Sequence, residues 1–367
     1  MSQEIAARVV RLEPGSLNAL TDVPGVKVGH FTHDDVPRGT TAVLCAGGAT
    51  AGVSVRGSNP GTFNTDALAP TAAGGVVHAI GLTGGSLFGL GAIAGITEWL
   101  FHQGIGHRYR GALIPVVAGA VIFDLVFADP AVYPTAAWGR RAAAAAATGP
   151  FGRGNVGAGA GGTAGKGPGC VRTKGGLGTA SLVLPGGIVV GALVVINSLG
   201  GLVHPATGRL YAAAGGFDIP LLYHPRDPEP DAVRALANTT LGVVATNADL
   251  TKPQVTKIAD LAHDGLARAI RPSHAMPDGD TVFALAAHEH AVGLPGTTGA
   301  NLTDLVGAAA ADAMTLAVLD AARETAGAGD WPSVADAMAA LGGDRAPDSE
   351  HARRSVAHRL DGGRPDV

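Results

Sequence analysis

Asn238-Thr239-Thr240-Leu241-Gly242-Val243-Val244-Ala245-Thr246 sets two threonines directly before an apolar, β-branched run. The run Leu241–Thr246 is apolar at successive positions, which predicts a strand buried on both faces rather than one with a wet side. The preceding region, 201–237, lacks a clear period. It contains His224-Pro-Arg-Asp-Pro-Glu-Pro230 and reads as a loop or linker leading up to Asn238. Two readings of Asn238-Thr239 stay open on these residues alone. The first is an ordinary turn entering a strand. The second is chemical: if the bond before the threonine is cut, one residue owns both a hydroxyl and a free α-amine. The hydroxyl is a weak nucleophile, and the amine, titrating near ~7.7–8.0, can serve as its base.

Working outward, further apolar runs predict strands at Ala42–Leu44, Val76–Leu82, Leu113–Val117, Leu182–Leu184, Ile188–Ile196 and Val282–Ala286. Helices are predicted at Gly89–Gln103, Thr135–Ala147, Lys252–Ala269 and Leu302–Ala322. The third carries clear start and stop signals: Thr251 as cap, Pro253 in the first turn, Gln254 completing a capping box, and Pro272 beyond the end. The class is α/β with buried sheets. Ser349–Val367 reads as a poorly ordered tail.

The 367 residues are 46% apolar and 15% charged, with a net charge of −4 and no long basic run, which argues against nucleic acid or an anionic membrane as partner. Leu182–Val203 is uncharged and long, but Pro185, Gly186, Gly187, Asn197, Gly200 and Gly201 break it into turn, strand and turn. Two cysteines, Cys45 and Cys170, make neither a disulfide framework nor a metal cluster. Met1–Glu13 is charged and unlike a signal peptide, so a cytoplasmic location is the expectation. Glycine, at 56 residues, punctuates the apolar runs and predicts tight turns and closely approaching backbones.

Several constellations could carry chemistry. Gly89-Leu-Gly91-Ala-Ile-Ala94 is a weak dinucleotide look-alike. Gly157–Lys166 fails the phosphate-loop pattern at Ala160 and Gly167, yet its glycines can bring the Lys166 ammonium close to a substrate. Asp278-Gly279-Asp280 is a turn signal, or two carboxylates sharing a side in extended chain, placed to orient an amine or hydroxyl. Asn197 ends an apolar strand, where it caps a turn or donates to a developing oxyanion. His288, Glu289 and His290 lack a third partner at metal spacing, and no G-x-S-x-G elbow occurs, so no metal or cofactor is expected.

Six ordered motifs then coincide with one family: Leu20-Thr-Asp-Val-Pro-Gly-Val-Lys-Val-Gly-His30, Asn155-Val-Gly-Ala-Gly159, Lys174-Gly-Gly-Leu-Gly-Thr-Ala-Ser181, Asn238-Thr-Thr240, Ala262-His-Asp-Gly-Leu-Ala-Arg-Ala-Ile-Arg-Pro272 and Asp278-Gly-Asp-Thr-Val-Phe283. Over residues 17–322 the chain resembles the self-cleaving aminopeptidase/amidase family, which includes the D-aminopeptidase/esterase, the β-aminopeptidases and the endo-type nylon-6-oligomer hydrolase. The resemblance implies a four-layer α/β/β/α sandwich, layered like the N-terminal-nucleophile hydrolases with different connectivity. It implies one catalytic domain, 1–322, with a C-terminal extension, 323–367. Cleavage between Asn238 and Thr239 would give 1–238 and 239–367, assembled as a tetramer of cleaved pairs. In the nylon-oligomer branch the matching functional residues are Lys166, Asn197, Thr239, Asp278 and Asp280, with Phe123, Gly85 and Ser86 near the substrate pocket. Lys174 reads as a structural lysine. The aminopeptidase members' acid before the aromatic is missing from Val116–Asp124. Hydrolysis of a short oligoamide or peptide is the activity implied. An aminopeptidase or esterase, and an acyltransferase like the ornithine acetyltransferases, are the alternatives.

Overall fold

The computed structural model describes residues 12–167, 170–205, 238–293 and 299–340. Nine strands form the main sheet system: β1 (Val26–Thr32), β2 (Gly39–Val55), β3 (Thr62–Phe63), β4 (Val76–Thr83), β5 (Val117–Val121), β6 (Leu177–Leu184), β7 (Ile188–Asn197), β8 (Thr239–Thr246) and β9 (Thr281–Ala287). Strand β2, 17 residues long, belongs to two layers. Its first half pairs with β1 and β4, its second half with β9, and the ladder to β4 shifts between Leu44 and Ala49. An irregularity of this kind bends a strand and raises its twist, so one chain can leave one layer and enter the next. One layer runs β6-β7-β8-β9 to the end of β2, and the other continues from the start of β2 through β4 and β5 to β3.

Alternation along the strands sorts the core. Leu193 and Val195 of β7, Leu241 and Val243 of β8, and Phe283 and Leu285 of β9 pack with Val43, Ile80, Leu82 and Ala120 between the layers. Their neighbours Val194, Val244, Val282 and Ala284 face the other way, against helices α3 (Lys252–Ala269) and α4 (Gly299–Glu324). Beyond the second layer, Ala42, Leu44, Ala79 and Val117 pack with helices α1 (Gly91–His102) and α2 (Ala136–Ala144). The architecture is the expected helix–sheet–sheet–helix sandwich. Burial on both faces is why these strands read as unbroken apolar runs.

The helices follow their local signals. In α3, Val255, Ile258, Ala262, Leu266 and Ala269 are all buried, each larger one contributing about 1.5–3 kcal/mol. Gln254 Oε1 accepts from Thr251 N–H at 2.8 Å and from Thr251 Oγ1 at 2.7 Å. Helix α4 is long and apolar enough to cross a membrane, but 78% of its apolar window is buried against the sheet and α3.

Some local expectations differ. Leu113–Val117 is broken at Pro115 into Ala112–Ile114 and β5, because proline cannot donate to the ladder. The helix expected from Gly89 begins at Gly91, after a separate turn Ser86–Gly89, and the helix expected to reach Ala147 stops at Ala144. Residues 325–340 remain packed: Trp331 meets Phe127 edge-on at 5.2 Å, and α5 (Val334–Ala340) buries Val334 and Ala337. The loop at 224–230 and the tail from Ser349 lie outside the described residues.

Helices α1 and α2 meet through two glycines. A Cβ on Gly139 would sit 1.8 Å from Ala92 O, and one on Gly95 1.9 Å from Ala136 O. Gly139→Ala is therefore expected to force the helices apart and destabilise the fold by about 1–3 kcal/mol, read as a lower urea midpoint at unchanged m.

Candidate active site

The site forms where β7 ends, β8 begins and the loop before β9 arrives. In the antiparallel β7–β8 ladder Asn197 stands directly opposite Thr239. Strand parity fixes the rest: Thr239 shares a face with Leu241 and Val243, between the layers, while Thr240 faces the helix side with Val244. The strand starts at Thr239, two residues earlier than the apolar run suggests. Thr239, Asn197, Lys166, Asp278, Asp280 and Asn238 are all buried.

The carbonyl of the bond between Asn238 and Thr239 is held from two directions. Thr239 Oγ1 donates to Asn238 O at 2.5 Å, and Gly279 N–H donates to the same oxygen at 2.6 Å. Since a C=O bond is about 1.2 Å, the hydroxyl oxygen lies within about 3.7 Å of the carbonyl carbon. Gly279 has no room for a side chain: a Cβ would sit 2.7 Å from both Thr239 Oγ1 and Asn59 O. The Asp-Gly pair therefore does not close a hairpin. It presses a bare backbone against the threonine, and β9 leaves parallel to β8.

Lys166 sits between two glycines whose N–H groups donate to the turn after β7, Gly165 to Gly200 O and Gly167 to Leu199 O, both at 2.9 Å. Its ammonium reaches back to Asn197, at 2.8 Å from Oδ1 and 3.1 Å from the carbonyl oxygen. Asn197 Oδ1 also accepts from Thr163 N and Oγ1, each at 3.2 Å. With three donors on one atom the amide orientation is determined, and Nδ2 is the donor end, bonded at 3.0 Å to Phe123 O. One Nδ2 hydrogen has no partner among the described residues. Lys166 thus sets Asn197 as a donor, a more indirect part than its glycine-rich setting suggests. Burial pushes the Lys166 ammonium down to about 7, against the opposing pull of Asp278. Lys174 differs: its ammonium donates to Ala160 O and Gly162 O at 2.7 Å and ties loop to loop.

The two carboxylates take separate partners. Asp278 accepts Leu199 N–H at 3.2 Å and Ala275 N–H at 2.8 Å, and burial, aided by repulsion from Asp280, pushes it up to about 7. Asp280 accepts Thr240 N–H at 2.6 Å on one oxygen; on the other it accepts His274 N–H at 3.0 Å and meets the His274 ring at 2.7 Å. His274, Gly279 and Asn59 escape sequence reasoning. Gly279 hides inside a turn signal, and Asn59 reaches the site only through the β2–β9 pairing, its N–H donating to Asp278 O at 2.9 Å.

Phe123 touches the site through its main chain, and Gly85 and Ser86 bond to the stretch on either side of it. Phe123 O receives Asn197, Ser86 N–H donates to Ile122 O at 3.0 Å, and Gly85 N–H donates to Asp124 Oδ1 at 2.7 Å. Asp124 is itself committed: Arg38 Nε donates to its carboxylate and Nη2 to its carbonyl, both at 3.0 Å, and both side chains are sealed from solvent.

The model of peptidase family S58 matches residues 18–329. An uncharacterized aminopeptidase of Mycobacterium tuberculosis is 40% identical over 332 residues, covering 83% of this chain and 93% of the relative. The 6-aminohexanoate-oligomer endohydrolase of Paenarthrobacter ureafaciens is 32% identical over 320 residues, covering 82% of this chain and 85% of that enzyme. Among solved structures, a β-aminopeptidase of a Burkholderia species superposes with a TM-score of 0.65 at 25% identity, over 92% of this chain and 98% of its own. The L-aminopeptidase D-Ala-esterase/amidase of Ochrobactrum anthropi, described as a variant of the Ntn-hydrolase fold, gives 0.67 at 24% identity over 90% and 96%. A family match over residues 18–329, a relative 40% identical over most of both chains and a fold shared with aminopeptidases mean that this protein belongs to peptidase family S58, a family of peptide- and amide-bond hydrolases.

Proposed function

We propose that this protein cleaves itself between Asn238 and Thr239 and then hydrolyses short oligoamides through an acyl-enzyme on Thr239. The observation that carries the reading is the Asn238 carbonyl, gripped by the Gly279 N–H and touched by the Thr239 hydroxyl. In self-cleavage Oγ1 bonds to the Asn238 carbon, the C–N bond breaks, and the resulting ester is hydrolysed to the Asn238 carboxylate and a free Thr239. Negative charge gathers on the oxygen that Gly279 already contacts, where one well-aimed donor is worth about 2.7–4 kcal/mol. Before the cut the Thr239 nitrogen is an amide and cannot accept a proton. The buried pair Lys166 and Asp278, both near 7, supplies the proton exchange at neutral pH.

After the cut the Thr239 amine takes the hydroxyl proton, Oγ1 attacks the substrate amide, and the amine returns the proton to the leaving nitrogen. Water then resolves the acyl-enzyme. The second Nδ2 hydrogen of Asn197, an amide oriented by Lys166 and paired across the ladder with Thr239, donates to the developing oxyanion. The two products of self-cleavage stay joined because Val190–Asn197 of β7 pair with the whole of β8, on either side of the cut. Asp124, the acid of the pocket stretch, takes Arg38 and Gly85 on Oδ1, while its second oxygen is sealed from solvent, so neither oxygen is presented at the surface to a substrate ammonium. This favours an internal amide, as in the 6-aminohexanoate-oligomer relative, over strict amino-terminal trimming. Exposed Leu87, Phe88 and Phe101 offer apolar area for assembly into a tetramer of cleaved pairs. Sedimentation of the mature protein as a single pair would remove that part of the reading.

Thr239→Ala is expected to run as one uncut band on a denaturing gel and to release no product from a 6-aminohexanoate oligomer, whereas Thr239→Ser retains part of both activities. Intact wild-type chain with full activity would sink the reading.

The pH profile tests the lysine. Its charged form supports the oxyanion, so kcat falls as pH rises through about 7, while the Thr239 amine gains base strength over the same range. A bell centred near neutrality is expected. Lys166→Met should lower kcat about 10²-fold or more and abolish the alkaline fall.

A further inference from the structure

The Asp280 carboxylate spends both oxygens on protein donors. One receives Thr240 N–H at 2.6 Å, the peptide directly after the nucleophile. The other meets the backbone N–H and ring Nδ1 of His274, at 3.0 and 2.7 Å. A carboxylate oxygen only accepts, so Nδ1 carries the proton in this contact. That is the ring's single hydrogen bond among the described residues, because Nε2 is buried without a partner there. The backbone at His274 has φ +59°, a left-handed conformation costly for a side-chain-bearing residue, and strain of this kind is kept where the surrounding structure fixes it. The ring is also braced from behind. It meets His263 of α3 edge-on, with centroids 4.7 Å apart, and His263 Nε2 donates to Ser54 O at 3.0 Å.

We propose that His274 is the positioning residue of this site: its imidazole fixes Asp280, and Asp280 in turn fixes both flanks of Thr239. On one flank Asp280 holds the Thr240 amide. On the other it is bonded to Gly279, whose N–H grips the Asn238 carbonyl. Displacing the carboxylate therefore moves the nucleophile and the oxyanion donor together, and a misplacement of about 1 Å at such a centre costs on the order of a hundredfold in rate. This assignment rests on the Thr239 reading above and adds to it the group that sets its geometry.

The test compares full-length His274→Asn with His274→Asp. Both side chains match in size and both tolerate the left-handed backbone. Their δ-atoms fall where Nδ1 now stands, but Asn donates to Asp280 and Asp repels it. Appearance of a new Thr239 N-terminus is followed by intact mass. kcat per cleaved chain and KM are measured on a 6-aminohexanoate oligomer. Expected is an Asn variant within a few-fold of wild type, and an Asp variant slower by about ten- to a hundredfold in self-cleavage and kcat at unchanged KM. Equal rates for the two variants, or a loss confined to KM, overturn the assignment. Wild-type protein that never releases Thr239 instead overturns the self-cleavage reading itself, so the two failures are distinguishable. His274→Gly, which removes the ring without backbone strain, should behave like the Asp variant; wild-type rates there also overturn the role.

Discussion

The register between β7 and β8 is the constraint on which the site depends. Asn197 faces Thr239 because Val195 faces Leu241 and Leu193 faces Val243, all buried between two sheets. A slip of one residue would turn every one of these side chains to the opposite face. The core and the chemistry are thus set by one ladder: apolar packing over the length of the strands fixes which polar side chains meet at their ends.

The ends of the strands bring together groups that are hard to bury. Two lysines and three aspartates lie near the inter-sheet edge with little water around them. Each is bonded to specific partners: Lys174 to loop carbonyls, Asp124 to Arg38, Lys166 to Asn197, and Asp278 and Asp280 to backbone N–H groups and His274. Burial drives Lys166 down and Asp278 up until both stand near 7, where protons exchange at ordinary pH. A hydrophobic sandwich thereby brings the titration of ordinary side chains toward neutrality.

Much of this was legible in the chain. The α3 cap, its apolar stripe and its stop appear in the structure as read. The strands Val76–Thr83, Ile188–Asn197 and Thr281–Ala287 match their apolar runs to within a residue. The five polar residues singled out, Lys166, Asn197, Thr239, Asp278 and Asp280, lie around one peptide bond, or one step from it. Less legible were contacts made by backbone. Gly279 gives an N–H and a missing Cβ, neither of which sequence pattern distinguishes from a turn. His274 precedes Asp280 by six residues in a loop without period. Arg38 and Asp124 are 86 positions apart and pair only because β2 and the loop after β5 are brought side by side.

By itself the sequence determined the layers, through unbroken apolar strands and one-sided helices, and named the residues able to do chemistry. Only the tertiary structure decided which threonine meets Asn197, which oxygen the Gly279 N–H touches, and that Lys166 acts on Asn197. The reason is physical: apolar periodicity is a local property of the chain, whereas strand register, loop approach and hydrogen-bond partnership exist only after distant segments are packed against one another.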